Sequence, residues 1–350
     1  MPDKETKRVH ETFDQEQAMN LSTSTAPQGG VRMDADPGPV LIFGGPYGNL
    51  QATRAVLTEA QRLGIGPERI ICTGDLTAYC ADPVATIAIV RDSGIHVVMG
   101  NCDEQLAGDA QSCGCGFPAG SACEALSAGW FAYANAHVEA GQRAWLAQLP
   151  RRIDLAIGGR RLAVIHGSVS RINQFVFATT PASLKREELA LAGRDCDGVI
   201  GGHCGLPFTQ LIDGRLWHNA GVIGMPANDG TPRVWFSVLT PGTDGLQIEH
   251  RALDYDHGTA ANAMRRAGLQ PEYRDALSTG IWPSCDVLPP HETRLQGVWL
   301  EPGTVVWPPT PRAPGRRGAR LPLEKPSWPS PPAAPAPRLV ARTVVVPASS

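Results

Sequence analysis

The feature that most constrains the fold of this chain is an alternation of continuous apolar segments with helix-like segments over residues 39–101. The apolar segments read PVLIFGG, RIICTGD and IHVVMGN. Between them, residues 50–64 and 83–94 carry apolar side chains at helical spacing, and the first of these ends at Gly64. Continuous apolar strands joined by helices are typical of a parallel sheet covered on both faces, so the pattern predicts an α/β fold.

The second half of the chain adds segments that pair locally. RIDLAIGGRRLAVIHG predicts a hairpin turning at Gly158-Gly159, and FTQLIDGRLWHNAG predicts another at Asp213-Gly214. DGVIGGH and PRVWFSVL add two further strands. We therefore predict a four-layer αββα sandwich, in which two mixed β-sheets pack back to back and helices flank them on the outside.

Composition divides the chain into a globular part and two low-complexity ends. Residues 1–37 are polar and then punctuated by Pro and Gly, and we expect a disordered leader. Residues 38–254 form the predicted domain, with a helical, cysteine-containing insertion at about 104–150, and residues 255–288 are predicted to form appended helices. From 289 to 350 proline dominates, which predicts a disordered tail.

Charge and hydropathy exclude several partners. A net charge of −3 argues against nucleic acid or an anionic membrane, because both need a basic face. No run of eighteen apolar residues is present, and the charged start lacks the apolar segment of a secretory signal, so we expect a cytoplasmic protein. The proline-rich end is either a solvated tail or a docking peptide for a protein partner.

Polar clusters follow the predicted strands. GDL, GNCDE, VIHGS and GGHCG each place a metal-capable side chain directly after an apolar run. In open α/β sheets the carboxyl edge of the strands is where ligands bind, so these turns should meet at one cleft. The first turn, GGPYGNL, differs because it holds no acid, histidine or thiol.

These motifs resemble those of a known family. GDLTAYCADP, GNCDE, HGS, GGHCGLPF and NAGVIGMPANDGTPRVWFSVL, in this order, are similar to motifs of the calcineurin-like metallophosphoesterase superfamily, in particular its bacterial phosphoesterase branch. The resemblance covers about residues 38–250. It implies the αββα sandwich, phosphoester hydrolysis, and two metal ions that share one aspartate.

Three ligands that the resemblance implies are replaced. The aspartate and histidine of the family's first turn align with Gly45 and Tyr47, and the second histidine of its Gly-His-x-His motif aligns with Gly205. All three would bind the same ion, whereas glycine cannot coordinate and a phenol with pKa near 10 is a poor ligand. We therefore predict a single metal site. The ligands that the resemblance implies for it are Asp75, Asn101, His166 and His203.

The retained donor set indicates both the metal and the reaction. Two imidazoles, one carboxylate and one amide oxygen suit one divalent transition metal, Mn, Fe or Zn. One ion still polarises a phosphoryl oxygen, although it does not clamp the entering and leaving oxygens as a metal pair does. The expected function is hydrolysis of a small-molecule phosphoester.

Three residues are candidates to compensate for the missing ion. Tyr47 stands at a vacated ligand position and could donate a hydrogen bond, and Arg171 could supply a fork of donors. Cys102 takes the place of a family histidine that protonates the leaving group. The alternatives are that Tyr47 only fills the vacated volume and that Arg171 is solvated. Asp103 is expected to brace its turn.

Cysteines leave a further alternative open. Nine is an odd number, which disfavours a complete disulfide framework. Cys80, Cys102 and Cys204 lie on three loops that should face the cleft, where they could form a soft-metal site, react, or be incidental. A second group of cysteines lies in one glycine-rich stretch and consists of Cys113, Cys115 and Cys123. We expect this group to have a structural or redox role, or to form a lid that carries thiols over the cleft.

Two other functions therefore stay open. The first is a catalytically silent protein that holds a metal for binding or sensing. The second is an enzyme that uses the cleft thiols to break a different bond. His96 is interpreted as an edge or packed residue, whereas His218, beside the Asn219-Ala220-Gly221 turn, is a less favoured candidate to reach the metal or the substrate.

Overall fold

A computed structural model describes residues 31–309, and their twelve strands form two mixed six-stranded sheets. The first sheet has the order β1-β5-β6-β7-β9-β8 and the second has the order β12-β11-β10-β2-β3-β4. The strands are β1 Val31–Asp34, β2 Val40–Phe43, β3 Ile70–Cys72, β4 His96–Val97, β5 Ile153–Ile157, β6 Arg160–Val164, β7 Gly198–Gly201, β8 Phe208–Ile212, β9 Arg215–Asn219, β10 Val234–Gly242, β11 Gly245–Leu253 and β12 Gly303–Trp307.

Nine α-helices lie within the described residues. Asn49 begins the first of them, because its side-chain oxygen accepts the Ala52 N–H at 3.1 Å. Within 31–309, no helix combines the length and the apolar character needed to cross a bilayer. The helices are α1 Leu50–Arg62, α2 Pro83–Ser93, α3 Asn101–Ala107, α4 Ala122–His137, α5 Ala140–Leu146, α6 Ala182–Leu191, α7 His257–Arg266, α8 Pro271–Thr279 and α9 Pro290–Arg294.

The two sheets bury an apolar layer between them. Ile42 and Ile71 of the second sheet and Val164 and Ile200 of the first belong to one fully buried cluster. Helices α1, α2, α4, α7 and α8 share a second buried cluster with the other face of the second sheet, and α6 shares a third with the first sheet. The predicted four-layer αββα sandwich of two mixed sheets is therefore confirmed.

Strand direction brings the polar turns together. β2, β3 and β4 run parallel, as do β6, β7 and β9, so each set presents its carboxyl ends at one edge. The two edges are joined by a bridge between Gly44 and Val222. The first turn is fixed to the second, because Gly45 N–H donates to Gly74 O at 3.1 Å and Tyr47 N–H donates to Asp75 O at 3.1 Å.

The expected leader boundary at residue 37 is wrong. Val31–Asp34 form β1, which pairs in parallel with β5, and Met33 is buried against the inter-sheet core. Only one residue of this strand is buried, so its sequence carries little of the apolar pattern that predicts a strand. The rest of the expected leader, residues 1–30, lies outside the described residues.

The expected tail boundary at residue 289 is also wrong. Helix α9 and strand β12 lie beyond it, and β12 pairs antiparallel with β11. Trp307 is buried, its Nε1–H donates to Gly214 O at 3.2 Å, and the Arg160 guanidinium lies 4.2 Å from its ring centre. The proline-rich composition hides this strand in the sequence. Residues 310–350, with the expected docking peptide, lie outside the described residues.

Candidate metal centre

Four side chains meet at the carboxyl edge of the sheets. His166 Nε2 lies 3.1 Å from Asp75 Oδ2, 3.0 Å from Asn101 Oδ1 and 3.1 Å from His203 Nδ1. These residues follow β3, β4, β6 and β7, and all four are buried. The structure thus brings together the four residues that the sequence assigns to one metal.

Hydrogen bonds on the far side of each imidazole fix its orientation. His166 Nδ1–H donates to Thr73 O at 2.6 Å, and His203 Nε2–H donates to Cys115 O at 3.2 Å. A carbonyl oxygen only accepts, so the proton of each neutral ring sits on the nitrogen that faces the carbonyl. The other nitrogen of each ring turns its lone pair toward the centre of the cluster.

The two oxygen donors are oriented in the same way. Asp75 Oδ1 accepts the Cys102 N–H at 2.9 Å, and Asn101 Nδ2–H donates to Cys113 O at 2.9 Å. Asp75 Oδ2 and Asn101 Oδ1 are left facing the imidazole nitrogens. With both rings neutral, as they are when they bind a metal, four acceptor atoms converge, and this arrangement fits a bound cation with hydrogen-bonded outer partners.

The two histidines respond differently to burial. Burial tends to lower the pKa of His166, but the Asp75 and Asp103 carboxylates outweigh it and the pKa is raised. Burial and the neighbouring His166 lower the pKa of His203 to about 3. Burial opposes ionisation of Asp75, yet His166 and His203 bring its pKa below the usual value. The centre thus keeps a carboxylate charged and His203 neutral, as metal ligands must be.

Backbone geometry at the centre is specialised. Asp75 and His203 have φ of 58° and 61°, in the left-handed region that residues other than glycine rarely adopt. Each follows a glycine, Gly74 and Gly202 respectively. Such conformations persist where the surrounding structure holds them, and they concentrate at functional sites.

Asp103 holds the second and third turns together. Its Oδ2 accepts the Asp75 N–H at 2.8 Å and the Gly100 N–H at 2.9 Å, and its Oδ1 accepts the Leu76 N–H at 2.9 Å. The carboxylate is thus committed to backbone donors and does not face the cluster centre. The predicted bracing role of Asp103 is confirmed.

A second bracing residue, Asn219, was missed by the sequence prediction. Its Nδ2–H donates to Gly202 O at 2.7 Å and to Cys204 Sγ at 3.1 Å, and its Oδ1 accepts the Gly221 N–H at 3.0 Å. These bonds hold both residues that flank His203. The Asn-Ala-Gly turn at the end of β9 was the signal that could have identified it.

Tyr47 and Arg171 occupy very different environments. Tyr47 is buried, and desolvation, followed by the charge of Asp75, raises its pKa well above 10, so the phenol stays protonated. Its ring lies over Gly45, where a Cβ would be 2.6 Å from Cε1 and 2.8 Å from Cε2. The Arg171 side chain is exposed and is not among the residues that line the cleft beside His203.

The Cys102 thiol is buried and is not among the residues that line the cleft. Its Sγ lies 3.9 Å from Cys115 Sγ and 3.5 Å from Asn101 Nδ2. Burial, followed by the charges of Asp75 and Asp103, raises its pKa well above 9. A group so reluctant to release a proton is poorly matched to acid catalysis at neutral pH.

The three thiols that were expected to converge on the cleft occupy different environments. Cys204 lines it, whereas Cys80 and Cys102 do not, and the Cys80 thiol lies 3.7 Å from Gly224 O. Cys113 and Cys115 are joined as a disulfide. Their loop lies over the metal centre, because the Cys113 and Cys115 carbonyls accept hydrogen bonds from two of the four cluster residues.

The other histidines lie elsewhere. His96 is half-buried on β4, the edge strand of the second sheet, as predicted. His218 lies between the sheets, where its Nδ1 is 2.8 Å from Thr209 Oγ1, and this same hydroxyl is 2.8 Å from His250 Nε2. The buried His218 and the half-buried His250 therefore form a polar pair apart from the metal centre.

A cleft of about 60 Å³ opens beside His203. A larger groove of about 580 Å³ lies elsewhere, along β1 and β5, and it contains none of the four cluster residues. The smaller cleft adjoins the cluster, because His203 is among its lining residues. Its lining is mainly aromatic and aliphatic and includes Tyr47, Tyr79, Phe117, Cys123, Phe175, Cys204, Gly205, Val222, Met225, Tyr273 and Trp282.

The αββα sandwich and the buried Asp-Asn-His-His cluster at its carboxyl edge define a protein of the metallophosphoesterase class. A family model described as the calcineurin-like phosphoesterase superfamily domain matches residues 47–241. The chain belongs to this superfamily. Since its first-turn residues are Gly45 and Tyr47, it is a member that lacks the usual first-turn ligands.

Solved structures with the same fold come from distant organisms. A metallophosphoesterase from Sphaerobacter thermophilus is 21% identical with a TM-score of 0.55, and the match covers 70% of this chain and 100% of that one. A hypothetical protein from Pyrococcus horikoshii is 17% identical with a TM-score of 0.59, covering 70% and 99%. No curated protein matches. At these identities the likeness shows the shared fold.

Proposed function

We propose that this protein is a metal-dependent hydrolase of a small phosphoester that works with a single divalent ion. The observation that carries the proposal is the convergence of Asp75 Oδ2, Asn101 Oδ1 and His203 Nδ1 on His166 Nε2, at 3.0–3.1 Å. Each acceptor is oriented by an outer hydrogen bond, so the cluster is built in advance for a cation.

The ligand chemistry favours Mn, Fe or Zn. Two nitrogen and two oxygen donors form a set of intermediate hardness, and four protein ligands leave room for a further oxygen ligand at an ion of five or six coordination. Such an ion supplies Lewis-acid polarisation of a phosphoryl oxygen. We assign the protonated Tyr47 phenol as a hydrogen-bond donor to a phosphoryl oxygen. It would act on the side of the centre where the family resemblance places a second ion.

Metal analysis and turnover together test the proposal. Purified protein should hold about one equivalent of Mn, Fe or Zn per chain, because one complete ligand set is found within residues 31–309. It should hydrolyse bis(4-nitrophenyl) phosphate, and both properties should be lost in His166→Ala and His203→Ala. His96→Ala is the matched control, because His96 lies on an edge strand outside the cluster. Two equivalents of metal, or turnover that survives both variants, would overturn the proposal.

One observation favours a second candidate function. Cys102, the residue expected to protonate the leaving group, is turned toward Cys115 and has a raised pKa, and Arg171 is exposed. A centre without a matched proton donor holds a metal but works slowly or not at all. Full metal loading without turnover of any phosphoester would identify a metal-holding binding protein instead of an enzyme.

A further inference from the structure

Two residues that stand in place of metal ligands implied by the family resemblance line the cleft beside His203. Tyr47 and Gly205 both face it, and they are joined there by Trp282 from the segment that follows α8. Trp282 packs closely against Gly205, because a Cβ on that glycine would lie 3.3 Å from Trp282 Cη2. Aromatic side chains therefore occupy the side of the centre where the family resemblance places a second ion.

The cleft walls are aromatic and are fixed in place. The Phe175 ring centre lies 4.1 Å from that of His203, at an angle of 30°, and Phe117 stacks on Phe175 at 6.1 Å. Across the cleft, Trp282 is held by a bond from its Nε1–H to Pro226 O at 2.7 Å and from its N–H to Asn228 Oδ1 at 2.8 Å. Fixed aromatic walls of this kind bind flat, apolar groups.

The lining carries no compensating charge for a second anion. No lysine, arginine, aspartate or glutamate is among the described residues that line the cleft. A second phosphate or a carboxylate placed there would be desolvated without a partner, which is costly. The enclosed volume of about 60 Å³ equals about two water molecules at liquid density, which leaves room for no more than one small flat group.

We propose that this cleft binds one uncharged flat ring carried by the substrate, next to a phosphoryl group at the metal centre. The inference rests on the proposed function for the phosphoryl site, and it adds the substrate class: phosphoesters with a neutral aromatic or similar ring, in preference to polyphosphates and to esters bearing a second charge. Phe175 and Trp282 are the residues assigned to ring recognition.

Binding of phosphonates tests the inference without any need for turnover. In the presence of excess Mn²⁺, isothermal titration calorimetry should show phenylphosphonate binding at least about tenfold more tightly than methylphosphonate, because the two have the same head group and differ by the ring. 4-Carboxyphenylphosphonate should lose that preference, because its added charge has no partner in the cleft.

Substitutions in the cleft test which residues cause the preference for phenylphosphonate over methylphosphonate. Trp282→Ala and Phe175→Leu should reduce it to about threefold or less while methylphosphonate binding is kept, and Trp282→Phe should retain it. Trp299→Ala is the matched control, because Trp299 is exposed and is not among the cleft residues. Equal binding of the two phosphonates, no binding of either, or a preference untouched by the cleft variants overturns the inference.

The same measurements separate this inference from the proposed function. Ring-selective binding that depends on Trp282, together with no hydrolysis of bis(4-nitrophenyl) phosphate, supports the cleft assignment and rejects the hydrolase. Hydrolysis that depends on His166, together with no selectivity between phenyl and methyl phosphonates, supports the hydrolase and rejects the cleft assignment.

Discussion

The ring of Tyr47 lies directly over Gly45, so closely that a Cβ on the glycine would overlap the far end of the ring. Gly45 and Tyr47 are therefore a matched pair, because the tyrosine ring occupies the space that a side chain at position 45 would fill. Gly45 also has φ of 39°, which residues with a Cβ rarely adopt. The first turn is thus adapted to an aromatic residue and does not simply lack two ligands.

Replacing Gly45 with aspartate should not add a metal. Gly45→Asp is expected to lower the free energy of unfolding by about 1–3 kcal/mol through overlap with Tyr47, beyond the cost of the backbone conformation. Gly64→Asp is the matched control, because Gly64 has φ of 69° and a Cβ at that position would meet nothing within 4 Å. Urea unfolding and elemental analysis are the measurements. A second equivalent of metal in Gly45→Asp, or equal destabilisation of both variants, would contradict this prediction.

Removing the Asp103 charge should loosen the metal centre. Asp103→Asn replaces one of two acceptor oxygens by a donor that faces backbone N–H groups, so the turns of Asp75 and Gly100 lose support. We expect metal affinity to fall by about 10–100-fold, as for loss of an outer partner of a metal ligand. Competition with a chelator measures it. Asp92→Asn is the control, because Asp92 is an exposed residue that pairs with Arg91. The metal affinity of this variant should equal that of the unchanged protein.

The Cys102 thiol should be dispensable for turnover. Because it is buried against Cys115 and its pKa is raised, we expect Cys102→Ser to change kcat by less than about threefold, far below the 10²–10⁴-fold typical of a proton-transfer group. Steady-state hydrolysis of bis(4-nitrophenyl) phosphate at several pH values is the measurement. A loss of about a hundredfold, with the alkaline limb of the pH profile removed, would restore Cys102 as the acid.

The histidine pair between the sheets, His218 and His250, predicts a loss of stability in mild acid. Burial lowers the pKa of His250 from 6.5 to about 4, and burial followed by the neighbouring His250 lowers the pKa of His218. Between pH 6.5 and 4 the unfolded chain therefore binds protons that the folded chain does not. The free energy of unfolding should fall as the pH falls through this range, by up to about 1.4 kcal/mol per pH unit for each histidine.

Substitution of the pair isolates its contribution. In the double variant His218→Gln/His250→Gln, the slope of unfolding free energy against pH should be shallower between pH 6 and 4.5, whatever its absolute stability. Urea unfolding at stepped pH gives the slope. His137→Gln, at an exposed position on α4, should keep the slope of the unchanged protein. Identical slopes in all three proteins would show that the pair does not titrate as described.

Much of the fold could be predicted because strand and helix periodicity are strong in the middle of the chain. The two hairpin turns at Gly158-Gly159 and Asp213-Gly214 lie between paired strands as predicted. The ends were misjudged, because β1 buries one residue and β12 lies within proline-rich sequence. There, pairing with a neighbouring strand and burial of Trp307 decide the structure, and neither leaves a local pattern.

The metal cluster could be predicted from motif spacing, but its surroundings could not. Asp75, Asn101, His166 and His203 each follow a strand, and strand order brings them together. The cleft depends on contacts between distant segments, such as Gly205 with Trp282, which are 77 positions apart in the sequence. No spacing rule connects two such positions, so the aromatic lining appears only once the chain is folded.

The position of β2 limits how far this polypeptide can be shortened. Val40–Phe43 is an interior strand, bonded to β10 on one side and β3 on the other, although it lies before the segment that the family model matches. Expression of residues 47–241 alone would remove β1, β2, β11 and β12. It would split the second sheet, leave β3, β5 and both sides of β10 without their strand partners, and invite aggregation through the exposed strand edges. A shortened version should instead extend from Val31 to Trp307, so that it keeps every strand from β1 to β12.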